Sequence, residues 1–519
     1  MKATCRAEAP VPRSSSWAPG FDGRTLVWLL AIAWVTVALS VRRIAESDLW
    51  YHLSNVRQLL ESGSFPIVDR YTFTAAGAPL VDHEWLSELV YYAAYQGWAH
   101  RGLLAVYGVL LVASYGAVFA LARRRGAGRA ETGLVTIFAV ALGSYSFGPR
   151  MMHFGWLCLV VLMYLLEQCE RRPQSFWLLP PLFMLWINLH GSWIFGFVVL
   201  AATLADGWIS AEWGSIVATR WSKKHRWHAL AATIASAVAL LVNPYGWKLV
   251  WYPFELRVRQ APALRAIIEW QSVDFHSGYG KLALVMLLGL LVTVWLSREK
   301  WRLRDGLLVL FAMWASMTYV RFLGFAALVL VPIIAPRVPL LNTPRVEQDR
   351  RFLNYALAVA FAFAIIKSVP SEKEIDDHIG RQFPRAALDF MRVNRIEGRL
   401  FHLYDFGGFI EWYAPHLKTF ADGRTDIFVY RGIMQDYLKA IQIEQSLEIL
   451  DKYRIDYVLY TTGGRLSYLL EHSSGWRTVY RDEVAHLFAR VGKGDAAGDG
   501  AHLGEAEHNE RSGDMASTR

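Results

Sequence analysis

The feature that most constrains this chain is a series of long apolar segments separated by short polar loops. A helix needs about 20 mostly apolar residues to cross a bilayer, and its backbone must satisfy its hydrogen bonds internally there. Only 19% of the 519 residues are charged, and the mean hydropathy is +0.23. We therefore predict a polytopic α-helical membrane protein. About eleven segments qualify as spans: 22–41, 102–122, 131–149, 152–168, 175–189, 191–209, 228–243, 279–296, 305–320, 322–336 and 352–368.

The loops predict the orientation, because basic residues concentrate on the cytoplasmic side of membrane proteins. Every even-numbered predicted span is followed by basic residues: Arg123, Arg124, Arg125, Arg129, Arg171, Arg172, Lys223, Lys224, Arg226, Arg298, Lys300, Arg302, Arg304, Arg337, Arg345, Arg350 and Arg351. This pattern places those loops and an N-terminal tail, 1–21, in the cytoplasm, with Arg42 and Arg43 as the exceptions. It also accounts for the net charge of +9, so we expect no nucleic-acid partner.

Two regions do not fit a simple series of spans. Residues 84–99 are apolar but short and contain Glu84 and Glu88. We predict an interfacial amphipathic helix there, inside a first outer loop, 42–101, because counting it as a span would invert every later loop. The transmembrane domain then covers 22–368. After it the charged residues return, and alternating short patterns predict an outward-facing α/β domain over 369–491.

Local patterns within this last domain predict its elements. The segments RLFHLYDF (399–406), TFADGR (419–424), YVLYTT (457–462) and VAHLFARV (484–491) are typical of strands. The segments ALDFMRVN (387–394) and MQDYLKAIQIEQSLEILDKY (434–453) are typical of helices. Residues 492–519 are rich in Gly, Asp, Glu and Ser, which predicts a disordered tail. The three cysteines, Cys5, Cys158 and Cys169, provide neither a disulfide framework nor a zinc cluster.

Unusual polar residues fall on the outer side of this predicted topology. They are Glu46, Asp48, Trp50, His52, Asp82, His83, Glu84, Trp85, Arg150, His153, Asn188, His190, Asn243, Tyr245, Lys248 and Arg321. Each has a structural explanation, such as an Arg capping a helix end. Polar groups at membrane depth are nevertheless costly unless partnered, and the planar fork of Arg suits phosphate. Their grouping predicts a site for an anionic, lipid-borne substrate.

The first outer loop carries a resemblance to a known family. The segment SDLWYHLSNVRQLLESGSFPIVDRYTFTAAGAPLVDHEW (47–85), with NLHG (188–191), NPYG (243–246), YDFGGFIEW (404–412) and ADGRTDIF (421–428), resembles the GT-C superfamily of polytopic glycosyltransferases. That superfamily includes oligosaccharyltransferase catalytic subunits, protein O-mannosyltransferases and the lipid A aminoarabinose transferase. This chain is most similar to a bacterial, largely uncharacterised branch, and the resemblance covers most of 22–490.

The resemblance implies sugar transfer from a polyprenyl-phosphate donor at the outer face of the cytoplasmic membrane. Asp48 is the expected general base, and Asp82 and Glu84 form the second acidic cluster of the loop. The leaving phosphate is expected to be stabilised by Arg150, Lys248 or Arg321. Further expected substrate contacts are Trp50, His52, His83, His190, Tyr245, Asp422 and Arg424, although the turn-forming sequence Ala421–Arg424 favours a structural role for the last two. The aromatic loop 244–278 is expected to gate lipid access or stack on sugar rings.

Several questions stay open at the level of sequence. A full Asp-x-Asp pair is absent, but Asp48 with Asp82 or Glu84 could share Mg²⁺ or Mn²⁺. Protein, lipid and polysaccharide are all possible acceptors. A transporter or flippase of a lipid-linked saccharide is one alternative, although the chain has no clear internal repeat of the kind common in transporters. A non-catalytic GT-C-like scaffold in cell-envelope assembly is the other.

Overall fold

The computed structural model describes residues 22–259, 268–297, 299–338, 351–429 and 431–492. The predicted tail 1–21 and all but the first residue of the predicted tail 492–519 lie outside these ranges, as do Arg298, Arg345 and Arg350. The helices up to residue 368 are α1 (Gly23–Ser40), α2 (Asp48–Ser62), α3 (Trp85–Arg124), α4 (Arg129–Gly143), α5 (Met152–Cys169), α6 (Leu179–Leu189), α7 (Trp193–Trp208), α8 (Lys223–Ala239), α9 (Trp247–Arg259), α10 (Gly278–Leu296), α11 (Leu303–Thr318), α12 (Leu323–Ile334) and α13 (Arg351–Ser368).

Each of the eleven predicted segments contains a helix, which confirms the fold class. Six helical stretches in the described ranges are long and apolar enough to cross a membrane. They are Gly23–Arg43, Trp85–Arg124, Met152–Cys169, Gly278–Leu296, Val320–Arg337 and Arg351–Ser368. The helices α4, α6, α7, α8 and α11 are shorter than 18 residues. Six spans are therefore supported by helix length, and the count of eleven stays a prediction.

The long helix α3 is divided near residue 99, where the sequence predicted the end of one helix before the span 102–122. Trp98 and Ala99 have non-helical backbone angles, with φ of 48° at Ala99, so residues 85–97 form a separate helical segment before the span. The carboxylate of Glu372 accepts hydrogen bonds at 3.0 Å from the backbone N–H groups of His100 and Arg101. These donors would otherwise be unsatisfied at the start of the second segment. Residues 85–97 of the predicted helix 84–99 thus form a distinct element, and its interfacial position stays a prediction.

The ends of the even-numbered predicted spans meet in one network of ion pairs. Arg125 contacts Glu167 at 2.6 Å and Asp305 at 3.3 Å. Arg302 pairs with Glu170 at 2.7 Å and also with buried Asp206. The same side carries a small sheet of β1 (Ala211–Trp213), β2 (Ile216–Ala218) and β3 (Trp301–Arg302). Since the network joins the loops predicted to be cytoplasmic, those loops lie at one end of the helix bundle.

The last domain is a four-stranded mixed sheet covered by short helices. Its strands are β4 (Leu400–His402), β5 (Tyr457–Thr461), β6 (Trp476–Arg481) and β7 (Ala485–Arg490), in the spatial order β4-β5-β7-β6. Only the β4–β5 pair is parallel. The helices are α14 (Glu372–Gly380), α15 (Arg385–Val393), α16 (Gly407–Tyr413), α17 (Thr425–Val429), α18 (Ile433–Ile441), α19 (Ser446–Lys452) and α20 (Arg465–Glu471).

Three of the four predicted strands are confirmed, and one is wrong. TFADGR is not a strand: Thr419 forms an isolated bridge with Thr72, and a turn then leads into α17. The edge strand β6 was missed. The predicted helical segment 434–453 is divided into α18 and α19 at Ile443, whose φ is 67°. The bridge to Thr72 explains the wrong prediction, because this segment pairs with the first outer loop and not with its own sheet.

Candidate active site

The candidate site is a cavity between the first outer loop, the outer domain, α9 and the two short turns that contain Trp270 and Arg321. Its volume is about 180 Å³. The lining residues are Tyr51, His52, Asn55, Leu80, Val81, Asp82, His83, Glu88, Tyr252, Trp270, Arg321, Gly423, Arg424, Thr425 and Asp426. The structure thus brings together five predicted site residues, His52, Asp82, His83, Arg321 and Arg424. The outer domain supplies one wall.

Glu84 lies among three histidines beside this cavity. Its carboxylate is 3.1 Å from Nε2 of His190, 3.5 Å from Nε2 of His52 and 3.6 Å from Nε2 of His83. Burial lowers the pKa of each of these imidazoles and raises the pKa of Glu84. The backbone N–H of Ser192 donates to Nδ1 of His190 at 3.0 Å, so neutral His190 carries its proton on Nε2 and donates it to Glu84. The hydrogen bond from His190 therefore helps to hold Glu84 in one orientation.

Asp82 and Glu88 form a pair of neighbouring carboxyl groups in the cavity. The sequence analysis identified Asp82 as a site residue but not Glu88. Nδ1 of His52 lies 2.5 Å from Oε1 of Glu88, and Asn55 donates to the same oxygen at 3.3 Å. Burial raises the pKa of Asp82 well above its usual range, and the neighbouring Glu88 carboxylate adds to the rise. Glu88 stands four residues after Glu84, one helical turn away. That spacing is the signal that could have identified it as a site residue.

Asp48 is the first residue of α2 and lies behind the cavity wall. A Cβ added at cavity-lining Gly423 would be 2.4 Å from Oδ1 of Asp48 and 2.5 Å from a ring carbon of Tyr51. Within the described ranges the Asp48 carboxylate forms neither a hydrogen bond nor an ion pair. Burial raises the pKa of Asp48 to about 8, and the Glu46 carboxylate adds to this effect while Arg150 opposes it. Asp48 is thus an unpaired carboxyl that titrates near neutral pH.

The two predicted outer arginines have different surroundings. The Arg150 guanidinium contacts Glu46 through two nitrogens, each at 2.9 Å, and Glu269 through the third. Its charge is therefore neutralised by two carboxylates. Arg321 instead stacks over the ring of Trp270, with 4.4 Å from Cζ to the ring centroid. Its side chain forms no ion pair in the part of the chain that the structure describes. Arg321 is therefore the better placed of the two to bind an anion.

Arg424 anchors the outer domain to the first loop. It lies 3.0 Å from Asp69 and 3.4 Å from Glu411, and Nε donates to Asp422 at 2.8 Å. Asp422 is fully buried, and Oδ1 also accepts from the backbone N–H of Arg424 at 2.8 Å. These contacts agree with a structural role for Asp422. Arg424 lines the cavity, but its charge is already surrounded by three carboxylates.

Three other predicted contacts lie away from the cavity. Trp50 is completely buried against the rings of Phe409 and Tyr413, so it is a core residue. The hydroxyl of Tyr245 donates to the Pro66 carbonyl at 2.9 Å. Lys248 is exposed on α9. None of the three lines the cavity.

The predicted metal ligands have separate neighbours. Asp48 lies against Gly423, whereas Glu84 lies among the histidines. Among the described residues, no group of three or more His, Cys, Asp or Glu side chains has an arrangement that would hold a metal ion. A divalent cation shared by Asp48 and Glu84 therefore stays a prediction, and the arrangement of the described side chains does not support it.

Crystal structures of ArnT from Cupriavidus metallidurans are among the solved structures similar to this chain. ArnT from Cupriavidus metallidurans in the apo state is 16% identical, with a TM-score of 0.47, covering 89% of this chain and 97% of that chain. The same protein bound to undecaprenyl phosphate is 14% identical, with a TM-score of 0.48, covering 90% and 98%. No family model and no curated protein matches the chain. Because both TM-scores lie below 0.5, the likeness supports no argument about the site. The chain is thus similar to ArnT over most of its length.

Proposed function

We propose that this protein is a membrane glycosyltransferase. It moves a sugar from a polyprenyl-phosphate donor to an acceptor at the outer face of the cytoplasmic membrane, and Asp48 is its general base. The observation that carries the proposal is the unpaired guanidinium of Arg321 in the cavity together with the unpaired carboxyl of Asp48 directly behind Gly423 in the cavity wall. Arg321 lines that cavity, and its charge lies within electrostatic range of Asp48 and Glu84.

The chemistry assigns a role to each group. The acceptor hydroxyl or amide attacks the anomeric carbon of the sugar, and its proton moves to Oδ1 or Oδ2 of Asp48. The bond between that carbon and the phosphate oxygen breaks, and its electron pair stays on the leaving polyprenyl phosphate. The N–H groups of Arg321 donate to the phosphate oxygens as their negative charge grows. A carboxyl with a pKa near the working pH suits the base, since such groups transfer protons most effectively.

The second acidic cluster has a separate proposed role. Positive charge develops on a sugar ring as its glycosidic bond breaks. Asp82 lines the cavity and Glu84 lies beside it, so each carboxyl stabilises that charge in its ionised form. The hydrogen bond from His190 keeps Glu84 in place. Asp48 and Glu84 as ligands of Mg²⁺ or Mn²⁺ remain a prediction, and the acceptor remains open among protein, lipid and polysaccharide.

The test is transfer of labelled sugar from a panel of polyprenyl-phosphate donors by the purified protein. We expect Asp48→Asn to lower the rate about 10²- to 10⁴-fold, the usual contribution of a general base. We expect Arg321→Ala to weaken donor use, whereas Asp451→Asn is the matched control. Asp451 pairs with Arg490 on the exposed surface of the outer domain, so this control should behave as wild type.

Each alternative function predicts a different result. Equal product from wild type and Asp48→Asn would remove Asp48 from the mechanism. No product with any donor, but movement of lipid-linked saccharide between the leaflets of vesicles, would identify a transporter or flippase. Absence of both activities would favour the scaffold.

A further inference from the structure

One side of the cavity is built from three side chains that contact one another. The ring of His83 lies 4.9 Å from the ring of Tyr252, measured between centroids. The hydroxyl of Tyr252 donates to Oδ2 of Asp426 at 2.8 Å. They come from the first outer loop, α9 and α17, and all three line the cavity. A tyrosine, a histidine and a carboxyl group therefore share one polar surface.

The charge of Asp426 is not taken up by a cation. Asp422, four residues earlier, is committed to Arg424, whereas Asp426 forms no ion pair within the described ranges. It is partly exposed at the cavity surface. Ligand pockets typically use a few such polar groups, set among aromatic rings, to fix the orientation of a ligand. A carboxylate in this position accepts hydrogen bonds from hydroxyl groups.

We propose that His83, Tyr252 and Asp426 form the subsite for the sugar ring of the donor. Asp426 is its specificity-determining residue and accepts a hydrogen bond from at least one sugar hydroxyl. The inference rests on the proposed function and names its substrate class: a sugar with at least one free hydroxyl.

The inference gives the outer domain a part in donor recognition. The wall of the cavity formed by 423–426 belongs to that domain, and Arg424 fixes its position against Asp69 of the first loop. The aromatic loop predicted to contact lipid or sugar contributes Tyr252 through α9. The sugar is thus enclosed by segments far apart in the chain.

The test compares donors that differ by one hydroxyl. Purified full-length protein is given a polyprenyl-phosphate neutral hexose and its single-deoxy analogues, and kcat/KM is measured for each. Wild type is expected to disfavour one analogue by about 10- to 100-fold, the value of one hydrogen bond to a charged group. Asp426→Ala is expected to reduce that ratio nearly to one. If Asp426→Ala does not fold, Asp426→Leu, which has a similar branched shape but no hydrogen-bond acceptor, serves for the same comparison.

Tyr252→Phe tests whether Asp426 recognises the sugar or only holds α9 in place through its bond to Tyr252. This variant loses the bond to Asp426 but keeps the carboxyl, so the discrimination between donors should survive. Equal loss of discrimination in Tyr252→Phe would show that the pair only holds α9 in place and would overturn the inference. A uniform loss for all donors in Asp426→Ala would also overturn it while leaving the transferase proposal intact.

Bare polyprenyl phosphate provides the remaining comparison. Its binding to wild type and to Asp426→Ala, measured by competition with the labelled donor, should be equal, because the sugar subsite is then unused. Failure of wild type to bind or use any lipid-phosphate donor would instead defeat the proposed function itself, and this inference with it.

Discussion

At the scale of single residues, Arg321 and Asp48 differ from neighbouring charged side chains in having no ion-pair partner within the described ranges. Arg150 and Arg424 were both candidates in the sequence, but each is surrounded by carboxylates. Arg321 has an aromatic ring beneath it instead. Asp48 has no fixed partner in the described structure. The groups left unpaired are the ones available to a substrate.

The raised pKa of Asp48 predicts a dependence on pH. Between its ordinary value of 3.8 and about 8, the folded protein holds a proton that the unfolded chain has released. Stability therefore falls as pH rises through this window. Asp48→Asn removes the titration, so we expect the variant to lose less thermal stability than wild type between pH 5 and pH 9, roughly the window set by that shift.

The transfer rate, in contrast to the stability, should increase with pH. Ionised Asp48 is the competent base, so the rate of wild type should increase with pH up to about 8. Thermal unfolding in detergent and donor turnover, both measured across this range, check the two trends. Identical stability profiles for wild type and Asp48→Asn would contradict the assigned titration.

Gly423 provides a steric test of the position of the Asp48 carboxyl. A methyl group there would overlap Asp48 and Tyr51, so Gly423→Ala should displace the carboxyl and lower transfer about 10- to 100-fold, as small misplacements do in active sites. The matched control is Gly380→Ala, because a Cβ at Gly380 has no neighbour within 4 Å. Turnover at saturating donor is the measurement, and full activity in Gly423→Ala would be incompatible with this geometry.

At the scale of elements, docking of the outer domain depends on a few buried contacts. Arg57 donates to the backbone carbonyls of Glu411 and Trp412 at 2.6 and 3.0 Å. Arg424 lies among carboxylates from the first loop and from its own domain. Because these bonds join segments about 350 residues apart, the first loop and the outer domain form one structural unit.

Removal of Arg424 should therefore destabilise that unit. Arg424→Met leaves Asp69, Glu411 and Asp422 without their cation, and breaking a buried pair in this way costs about 3–5 kcal/mol. Arg392→Met is the control, since its pair with Asp389 is exposed and such pairs contribute about 0–1 kcal/mol. Thermal unfolding of both variants in detergent checks the difference, and equal shifts would count against the docking role.

At the scale of the whole molecule, charged residues gather at both ends of the helix bundle. One end holds the network around Arg125, Glu170 and Asp305. The other holds the cavity and the outer domain. Positive-inside topology predicts that the first end is cytoplasmic.

Cysteine labelling checks this orientation. Glu397→Cys lies on the exposed surface of the outer domain and Lys224→Cys at the start of α8, each combined with Cys5→Ser. The remaining Cys158 and Cys169 are buried. A membrane-impermeant maleimide applied to spheroplasts should label Glu397→Cys at once and Lys224→Cys only after permeabilisation. The reverse pattern would invert the topology and move the cavity to the cytoplasmic side.

The sequence by itself determined the polytopic helical fold class and the end of the helix bundle at which the polar site residues gather. Both follow from local requirements: helix length across the bilayer and the cost of polar groups inside it. It also located Asp48, Asp82, His83 and Arg321 through the first-loop motif and the helix boundaries. The break in α3 near residue 99 was likewise visible in the change of pattern.

Only the tertiary structure decided which of these residues are paired and which remain free. Arg150 meets Glu269 and Arg424 meets Asp69 across more than one hundred residues of chain, and local patterns carry no information about such partners. The same reason explains why Glu88 was not chosen as a site residue, and why Asp426 received no distinct role from the sequence. Their significance depends on a cavity formed only when the first loop, α9 and the outer domain come together.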